Sequence, residues 1–129
     1  MMYDARVTIR FQDLERFTTN DIDAAIERND PQELQLVSVT VALACPDQTA
    51  AQDVCLRLSR HTHNEVRGNA VMSLGHLGRR FRTLDEQVVK PLIESALHDA
   101  DEYVRTRAKS AADEIHQFLG WSIAGHVYG

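Results

Sequence analysis

One sequence pattern occurs clearly twice in the chain, and this repeat constrains the fold more than any other feature. One copy begins at Asn64 and the other at Glu102. Equivalent residues lie 38 positions apart: Val66 and Val104, Arg67 and Arg105, Ala70 and Ala108, Leu77 and Ile115. A weaker third copy begins at Glu33, 32 positions before Glu65. A repeat of this length predicts a solenoid built from stacked pairs of helices.

The composition agrees with an all-α domain. The chain has 129 residues, of which 43% are hydrophobic, and this is enough for one packed core. Aromatic residues supply only 6%, and three prolines and six glycines provide few of the turns that many short strands would need. We therefore predict an all-α fold, a short α-solenoid of about three antiparallel helix pairs with an N-terminal cap.

Helix start and stop signals divide this single domain into segments. Asp30, Asp47, Asp85 and Asp101 stand where helix N-caps are expected, because a short acidic side chain accepts hydrogen bonds from the free backbone N–H groups of a first turn. The predicted segments are a cap at residues 1–18, helix pairs at 19–45, 46–78 and 84–119, and a tail at 120–129. The aromatic residues of the tail are expected to fold back over the core.

Three local features lead to further predictions about the helices. Gly78 is expected to end a helix and to begin a basic loop at residues 78–83 that lengthens the second period. Pro91 is expected to kink or end the helix that contains it. The helix that starts at Pro31 has a second apolar side, so it is expected to be sandwiched between neighbours: Leu36, Val39 and Leu43.

The helix pairs, the Val-Arg-x-x-Ala core of the second helices and Pro91 in a first helix resemble HEAT repeats. The resemblance covers about residues 20–119, and the first copy departs from it with Gln35 in place of the arginine. It implies a HEAT-like protein-binding scaffold whose second helices line a concave face. It also implies that Arg67 and Arg105 bond to an acid of the neighbouring repeat and do not contact a ligand.

The charge is unevenly distributed along the chain, whose formal net charge is −5. Residues 1–54 carry ten acids and four bases, residues 55–82 carry six bases and one acid, and residues 83–129 carry eight acids and four bases. The acidic excess argues against general attraction to nucleic acid, which depends on clustered Lys and Arg. The basic stretch from Arg57 to Arg82 leaves weak nucleic-acid binding open as an alternative.

The sequence gives no support for catalysis or for a cofactor. Six histidines invite a metal hypothesis, but no His-Glu-x-x-His motif occurs. HEAT-like enzymes that bind iron use His-Glu pairs, and the corresponding places here read His63-Asn64 and His98-Asp99. Cys45 and Cys55 have no histidine at a recognisable spacing. We therefore predict a protein without catalytic residues, metal or cofactor.

Nothing in the sequence indicates a membrane. The first residues lack the apolar stretch of a signal peptide, and no run approaches the ~18 apolar residues of a membrane span. A cytoplasmic location is therefore expected.

Binding of another protein is the function that remains. The predicted contact positions lie on the second helices and face away from the apolar stripe: Glu33, Glu65, Asn69, Met72, His76, Glu102, Tyr103 and Thr106. Tyr103 and Met72 are expected to be the main anchors, because interface cores favour aromatic and Met side chains. The basic loop is a second candidate contact, through Arg79, Arg80, Phe81 and Arg82.

A narrower resemblance concerns the partner. Short acidic HEAT-like proteins that have a Val-Arg-Gly core, here residues 66–68, and a Phe-Leu-Gly-Trp end, here residues 118–121, resemble bacterial immunity proteins of toxin–immunity systems such as contact-dependent growth inhibition. The resemblance implies 1:1 binding and neutralisation of a cognate toxin domain, basic and of the nuclease type. A general HEAT adaptor in a larger protein complex is the alternative.

Overall fold

The computed structural model describes residues 19–128, and these residues form six α-helices and no strand. The helices are α1 (Thr19–Arg28), α2 (Pro31–Ala44), α3 (Gln48–Leu58), α4 (Asn64–Phe81), α5 (Glu86–Ala96) and α6 (Glu102–Leu119). The predicted all-α solenoid is confirmed for this part of the chain. The predicted N-terminal cap, residues 1–18, lies outside the described residues.

The six helices form three consecutive pairs, α1–α2, α3–α4 and α5–α6. Short loops at residues 29–30, 59–63 and 97–101 join the helices of each pair, so the two helices run antiparallel. The second helices α2, α4 and α6 lie side by side, and α4 packs most extensively against α6 and then against α2. The first helices cover the other side, where α3 packs on both α2 and α4 and α5 packs mainly on α6.

Four of the helices begin at the aspartates that the sequence indicated. The side chains of Asp30, Asp47, Asp85 and Asp101 each accept a hydrogen bond from a backbone N–H of the following turn, over 2.8–3.2 Å. Each bond satisfies a donor that the helix itself leaves without a partner. The N-cap predictions are therefore confirmed.

One continuous apolar core runs through all three pairs. It takes its large, fully buried side chains from every helix after α1: Leu34, Leu58, Leu74, Ile93 and Ile115. The small residues of the repeat let α4 and α6 approach each other closely within this core. A Cβ atom added at Gly75 would lie 2.9 Å from the Cα atom of Ala111, closer than real Cβ contacts.

The prediction that Gly78 ends α4 is wrong. The helix continues for another turn, to Phe81, and ends at Arg82 in the left-handed conformation with φ 58°. Gly78 is buried between Leu84 of the following loop and α6. The packing of this turn outweighs the helix-propensity cost of glycine, about 1 kcal/mol. The lengthened period therefore comes mainly from a longer helix.

Two other helices also differ from the expectation. Helix α5 continues through Pro91 to Ala96, so Pro91 does not end it. Helix α2 is not sandwiched on its second apolar side, because Leu36 is 60% exposed and Leu43 is 43% exposed. The opposite side of α2, with Val37 and its neighbours, is fully buried.

The chain after α6 folds back along the last helix pair. Trp121 packs against the core, and Ile123 is buried. Tyr128 stacks on the ring of His116, with 4.1 Å between the ring centroids. The described part of the tail thus covers part of the α5–α6 pair, as its aromatic residues suggested.

Candidate functional site

The arginine of the repeat links the second helix pair to the third. Arg67 donates from Nε and Nη2 to the two carboxylate oxygens of Asp99, each over 2.8 Å, and from Nη1 to the carbonyl oxygens of His61 and Thr62. The hydrogen bond from Arg67 lowers the pKa of the Asp99 carboxyl, and the same bond raises the pKa of Arg67. Arg67 is therefore a structural link, as the resemblance implied.

Arg105 repeats the hydrogen bond to a backbone carbonyl but not the pair with a carboxylate. Its Nη1 donates to the carbonyl oxygen of Asp99 over 2.7 Å, just as Nη1 of Arg67 donates to the carbonyl oxygen of His61. In both cases the acceptor lies six residues earlier. Within residues 19–128 no further helix pair follows, and no carboxylate accepts the other N–H groups of Arg105. The implied bond to an acid of a neighbouring repeat is therefore not made here.

Other polar contacts join the loop at residues 29–30 to the loop at residues 59–63. The N–H of His63 donates to Nδ1 of His61 over 3.0 Å, and Nε2 of His61 therefore carries the proton that it donates to Oδ1 of Asn29. Burial, followed by the charges of His63 and Arg67, lowers the pKa of His61. Internal contacts thus occupy these loops, and the candidate binding surface lies elsewhere.

The predicted contact residues lie on the exposed side of α2, α4 and α6, which we call the second-helix face. Three of them are exposed: Glu65, Glu102 and Thr106. Five are half-buried: Glu33, Asn69, Met72, His76 and Tyr103. On α4 these residues recur every three or four positions, which places them on one side of that helix, whereas Glu102 and Tyr103 of α6 are consecutive and point about 100° apart.

A chain of hydrogen bonds crosses this face from α6 to α2. The hydroxyl of Tyr103 donates to Oδ1 of Asn69, and Nδ2 of Asn69 donates to the carbonyl oxygen of Gln35 over 3.2 Å. The ring of Tyr103 also packs on Gly68, where an added Cβ atom would lie 2.7 Å from two ring carbons. The guanidinium of Arg107 lies 4.7 Å from the ring centroid. Tyr103 and Asn69 are therefore held by contacts inside the protein.

A groove lies between α4 and α6 towards the C-terminal ends of these helices. Its volume is about 560 Å³, and its lining is Met72, His76, Arg79, Ser110, Asp113, Glu114, Gln117 and Phe118. One carboxylate oxygen of Glu114 lies 3.0 Å from Nδ1 of His76, and the other lies 2.9 Å from Nη1 of Arg79. The groove brings together the predicted contacts Met72 and His76 and joins them to Arg79.

Glu65 and Glu102 are the acids of the prediction that stay open. Both are exposed in the first turn of their helix, and no residue in the described part of the chain pairs with either. Glu33, the third predicted acid, is engaged by Arg28, whose Nε and Nη2 donate to its two carboxylate oxygens over 3.1 and 2.8 Å. Among the described residues, a predicted contact acid is therefore unpaired on α4 and on α6 but not on α2.

Sequence reasoning missed the exposed apolar stripe of α2. Leu36 and Leu43 lie on the second-helix face with half-buried Val39 between them. The signal was present in the sequence, because these positions lie opposite Leu34 and Val37 on a helical wheel. The pattern predicts burial on two sides, since the sequence does not show which side lacks a neighbour.

The predicted basic contact loop is mostly the last turn of α4. Its side chains contact α2, α6 and each other. Arg79 pairs with Glu114 of α6, and the guanidinium of Arg82 lies 4.6 Å from the ring centroid of Phe118. Arg80 donates to the carbonyl oxygen of Ala42 of α2 and lies over the ring of Phe81. Phe81 is half-buried against the core. At the other end of the basic stretch, Arg57 pairs with Asp23. These arginines do not form a single basic patch.

A second cleft, of about 410 Å³, opens between α4, α5 and the end of α3. Val71 and Leu92 line it together with the Arg67–Asp99 pair. It lies in the layer of the first helices, away from the second-helix face. None of the predicted contact residues reaches it.

Within residues 19–128, no three His, Cys, Asp or Glu side chains are placed to hold a metal ion. Cys45 and Cys55 are free thiols, and burial raises the pKa of the Cys55 thiol. No helix in this part of the chain is long and apolar enough to span a membrane.

Comparison with known protein families identifies the repeat. The family model of HEAT repeats matches residues 22–113, which spans all of α2 to α5 and most of α1 and α6. No curated protein and no solved structure matches the chain.

Proposed function

The chain belongs to the HEAT-repeat family, and we propose that it is a non-catalytic module that binds another protein through its second-helix face. HEAT repeats are in general non-catalytic and commonly mediate protein–protein interaction. The observation that carries the proposal is the pair of exposed glutamates on adjacent helices, Glu65 and Glu102, neither of which pairs with another residue in the described part of the chain. The nearby cation Arg67 is already paired with Asp99.

The partner in this proposal is a basic protein, and more narrowly a cognate toxin domain of the nuclease type that the chain neutralises as a cytoplasmic bacterial immunity protein. The net charge of −5 supports a basic partner, since opposite charges speed the encounter. Glu65 and Glu102 would occupy positions that nucleic-acid phosphates take in the nuclease. The complex is 1:1.

Capture of the partner tests this function. The full chain is used as bait in the organism's own extract, and the captured protein is identified and compared with the product of the adjacent upstream gene. The purified pair should form a 1:1 complex, and one equivalent of the chain should abolish the partner's nuclease activity. A stable complex in which the partner's activity is unchanged would favour the adaptor role.

Matched variants test the surface. Changing Glu65→Gln together with Glu102→Gln should weaken binding by about tenfold, mainly through slower association, and should reduce its dependence on salt. Glu27→Gln is the control, because Glu27 is also exposed and unpaired but lies on α1. An equal effect of the control would remove the second-helix face from the proposal.

A further inference from the structure

An apolar stripe on α2 lies open on the second-helix face. Leu36 and Leu43 are 60% and 43% exposed, and half-buried Val39 lies between them. The three residues follow the spacing i, i+3, i+7, which places apolar side chains on one side of a helix. Two leucines that are this exposed and lie seven residues apart on one helix are typical of an interaction surface. Single exposed apolar residues scattered over a surface are not.

Glu65 lies beside the N-terminal end of this stripe. Asn69 of α4 contacts the carbonyl oxygen of Gln35, the residue before Leu36, and Glu65 lies one turn before Asn69. Glu102 is in the first turn of α6, next in sequence to Tyr103, whose hydroxyl donates to Asn69. Within the described residues, the face therefore presents an apolar strip on α2, an unpaired carboxylate on the adjacent α4 and a second one on α6, which packs on the far side of α4.

We propose that this strip and the two glutamates bind an amphipathic, basic α-helix of the partner protein. Apolar side chains of that helix, spaced by three or four residues, pack on Leu36, Val39 and Leu43. Lys or Arg side chains beside them meet Glu65 and Glu102. In this mode of recognition, a helix of the partner packs its apolar side on the apolar strip and its charged side chains on the border of the strip. The inference rests on the proposed function and specifies which kind of segment the partner supplies.

The charges favour this occupant over two others. Residues 1–18 of the same chain carry three acids and three bases, so they offer no excess positive charge to the glutamates. A second copy of the chain would bring another net charge of −5 and the same two acids to the interface. A basic helix satisfies both the apolar strip and its acidic border.

Designed peptides test the proposal without the natural partner. The probe is a labelled helical peptide in which a leucine stripe is flanked by lysines, and its binding to the full chain is measured by fluorescence anisotropy. Two matched peptides replace the lysines by glutamates or the leucines by serines. The leucine–lysine peptide should bind at least tenfold tighter than either, and its affinity should fall as salt is added.

Variants of the chain locate the site. Leu36→Ser with Leu43→Ser, and separately Glu65→Gln with Glu102→Gln, should each weaken peptide binding by about tenfold. Val88→Ser and Glu27→Gln are the controls, because Val88 on α5 is 38% exposed and Glu27 is an exposed acid on α1. Equal binding of the leucine–lysine and serine–lysine peptides, or unchanged binding by the leucine variant, would overturn the proposal.

Two further outcomes would assign the stripe to another occupant. If the leucine variant loses much more melting temperature than the lower helix propensity of serine and the partial burial of the two leucines explain, residues of the same chain cover the stripe. If the wild type sediments as a dimer and the variant as a monomer, the occupant is a second copy. The peptide result is independent of the toxin assay, so loss of the immunity role alone would leave this helix-binding site in place.

Discussion

At the scale of single residues, the most informative comparison is between Arg67 and Arg105, which occupy the same place in the repeat. Only Arg67 forms a bidentate pair with a carboxylate, that of Asp99. Lysine cannot reproduce that geometry, so Arg67→Lys should lower the free energy of unfolding by about 2 kcal/mol. Arg105→Lys should cost less than about 1 kcal/mol, because it loses a single bond to a carbonyl. Urea unfolding of both variants checks this, and equal costs would contradict the structural assignment.

His61 makes stability depend on pH. Its pKa in the folded protein lies below the ordinary value of 6.5, and Nδ1 already accepts the N–H of His63. Well above pH 6.5 the ring is neutral in both states, and as the pH falls through 6.5 the unfolded chain takes up the proton first. Stability should therefore decrease on acidification through this range. In His61→Gln, unfolding curves measured at several pH values should show a shallower decrease, and an unchanged slope would exclude His61 as a cause.

Residue roles differ in how far the sequence could predict them. The N-cap role of Asp101 depends on its own backbone neighbours, so the local pattern was sufficient. The roles of Glu33 and Tyr103 depend on Arg28 and Asn69, which other helices supply. Periodicity places a side chain on the exposed face of a helix, but it does not show whether an adjacent helix provides a partner there.

At the scale of helices, the close approach of α4 and α6 depends on Gly75. In an isolated helix Gly→Ala is stabilising by about 1 kcal/mol. Here the added Cβ atom would lie 2.9 Å from the backbone of Ala111 and from Oε1 of Glu114, so the two helices would have to separate. Gly75→Ala should therefore lower the free energy of unfolding by about 1–3 kcal/mol.

The control for this substitution is Ser110→Ala, at an exposed position of α6. It should be neutral or slightly stabilising, because alanine has the higher helix propensity. Thermal unfolding followed by circular dichroism measures both variants. A higher melting temperature for Gly75→Ala would show that the helices are not in close contact at this point.

The helices also show which parts of the fold the sequence could not determine. Glycine at position 78 has a real propensity cost, yet the helix continues because Gly78 packs closely against the side chains of Leu119 and Ile115. Leu36 fits a buried position as well as an exposed one. Tertiary neighbours decide both cases, and the neighbours of a repeat helix come from other repeats.

At the scale of the whole molecule, the two sides of the second helices have different roles in the proposed function. Their inner sides hold the solenoid together, because α4 packs extensively on both α6 and α2, and the Arg67–Asp99 pair adds a link between α4 and the loop before α6. Their exposed sides present the surface that carries Leu36, Glu65 and Glu102. The HEAT resemblance implied that the second helices carry the binding face. It could not predict that the apolar part of the face lies on α2, where the repeat pattern is weakest.

The described part of the tail packs on the α5–α6 pair, and this leads to a prediction about global stability. Ile123 is 2% exposed, and the N–H of Ala124 donates to Glu94 of α5 over 2.8 Å. Because stability in a solenoid propagates between neighbouring repeats, a cavity here should weaken the last pair and the core that it covers. Ile123→Ala should cost about 2–3 kcal/mol, roughly 6–12 °C in melting temperature. Val127→Ala, at a residue that is 88% exposed, should leave the melting temperature unchanged. Similar melting temperatures for the two variants would mean that the tail does not contribute to the folded core.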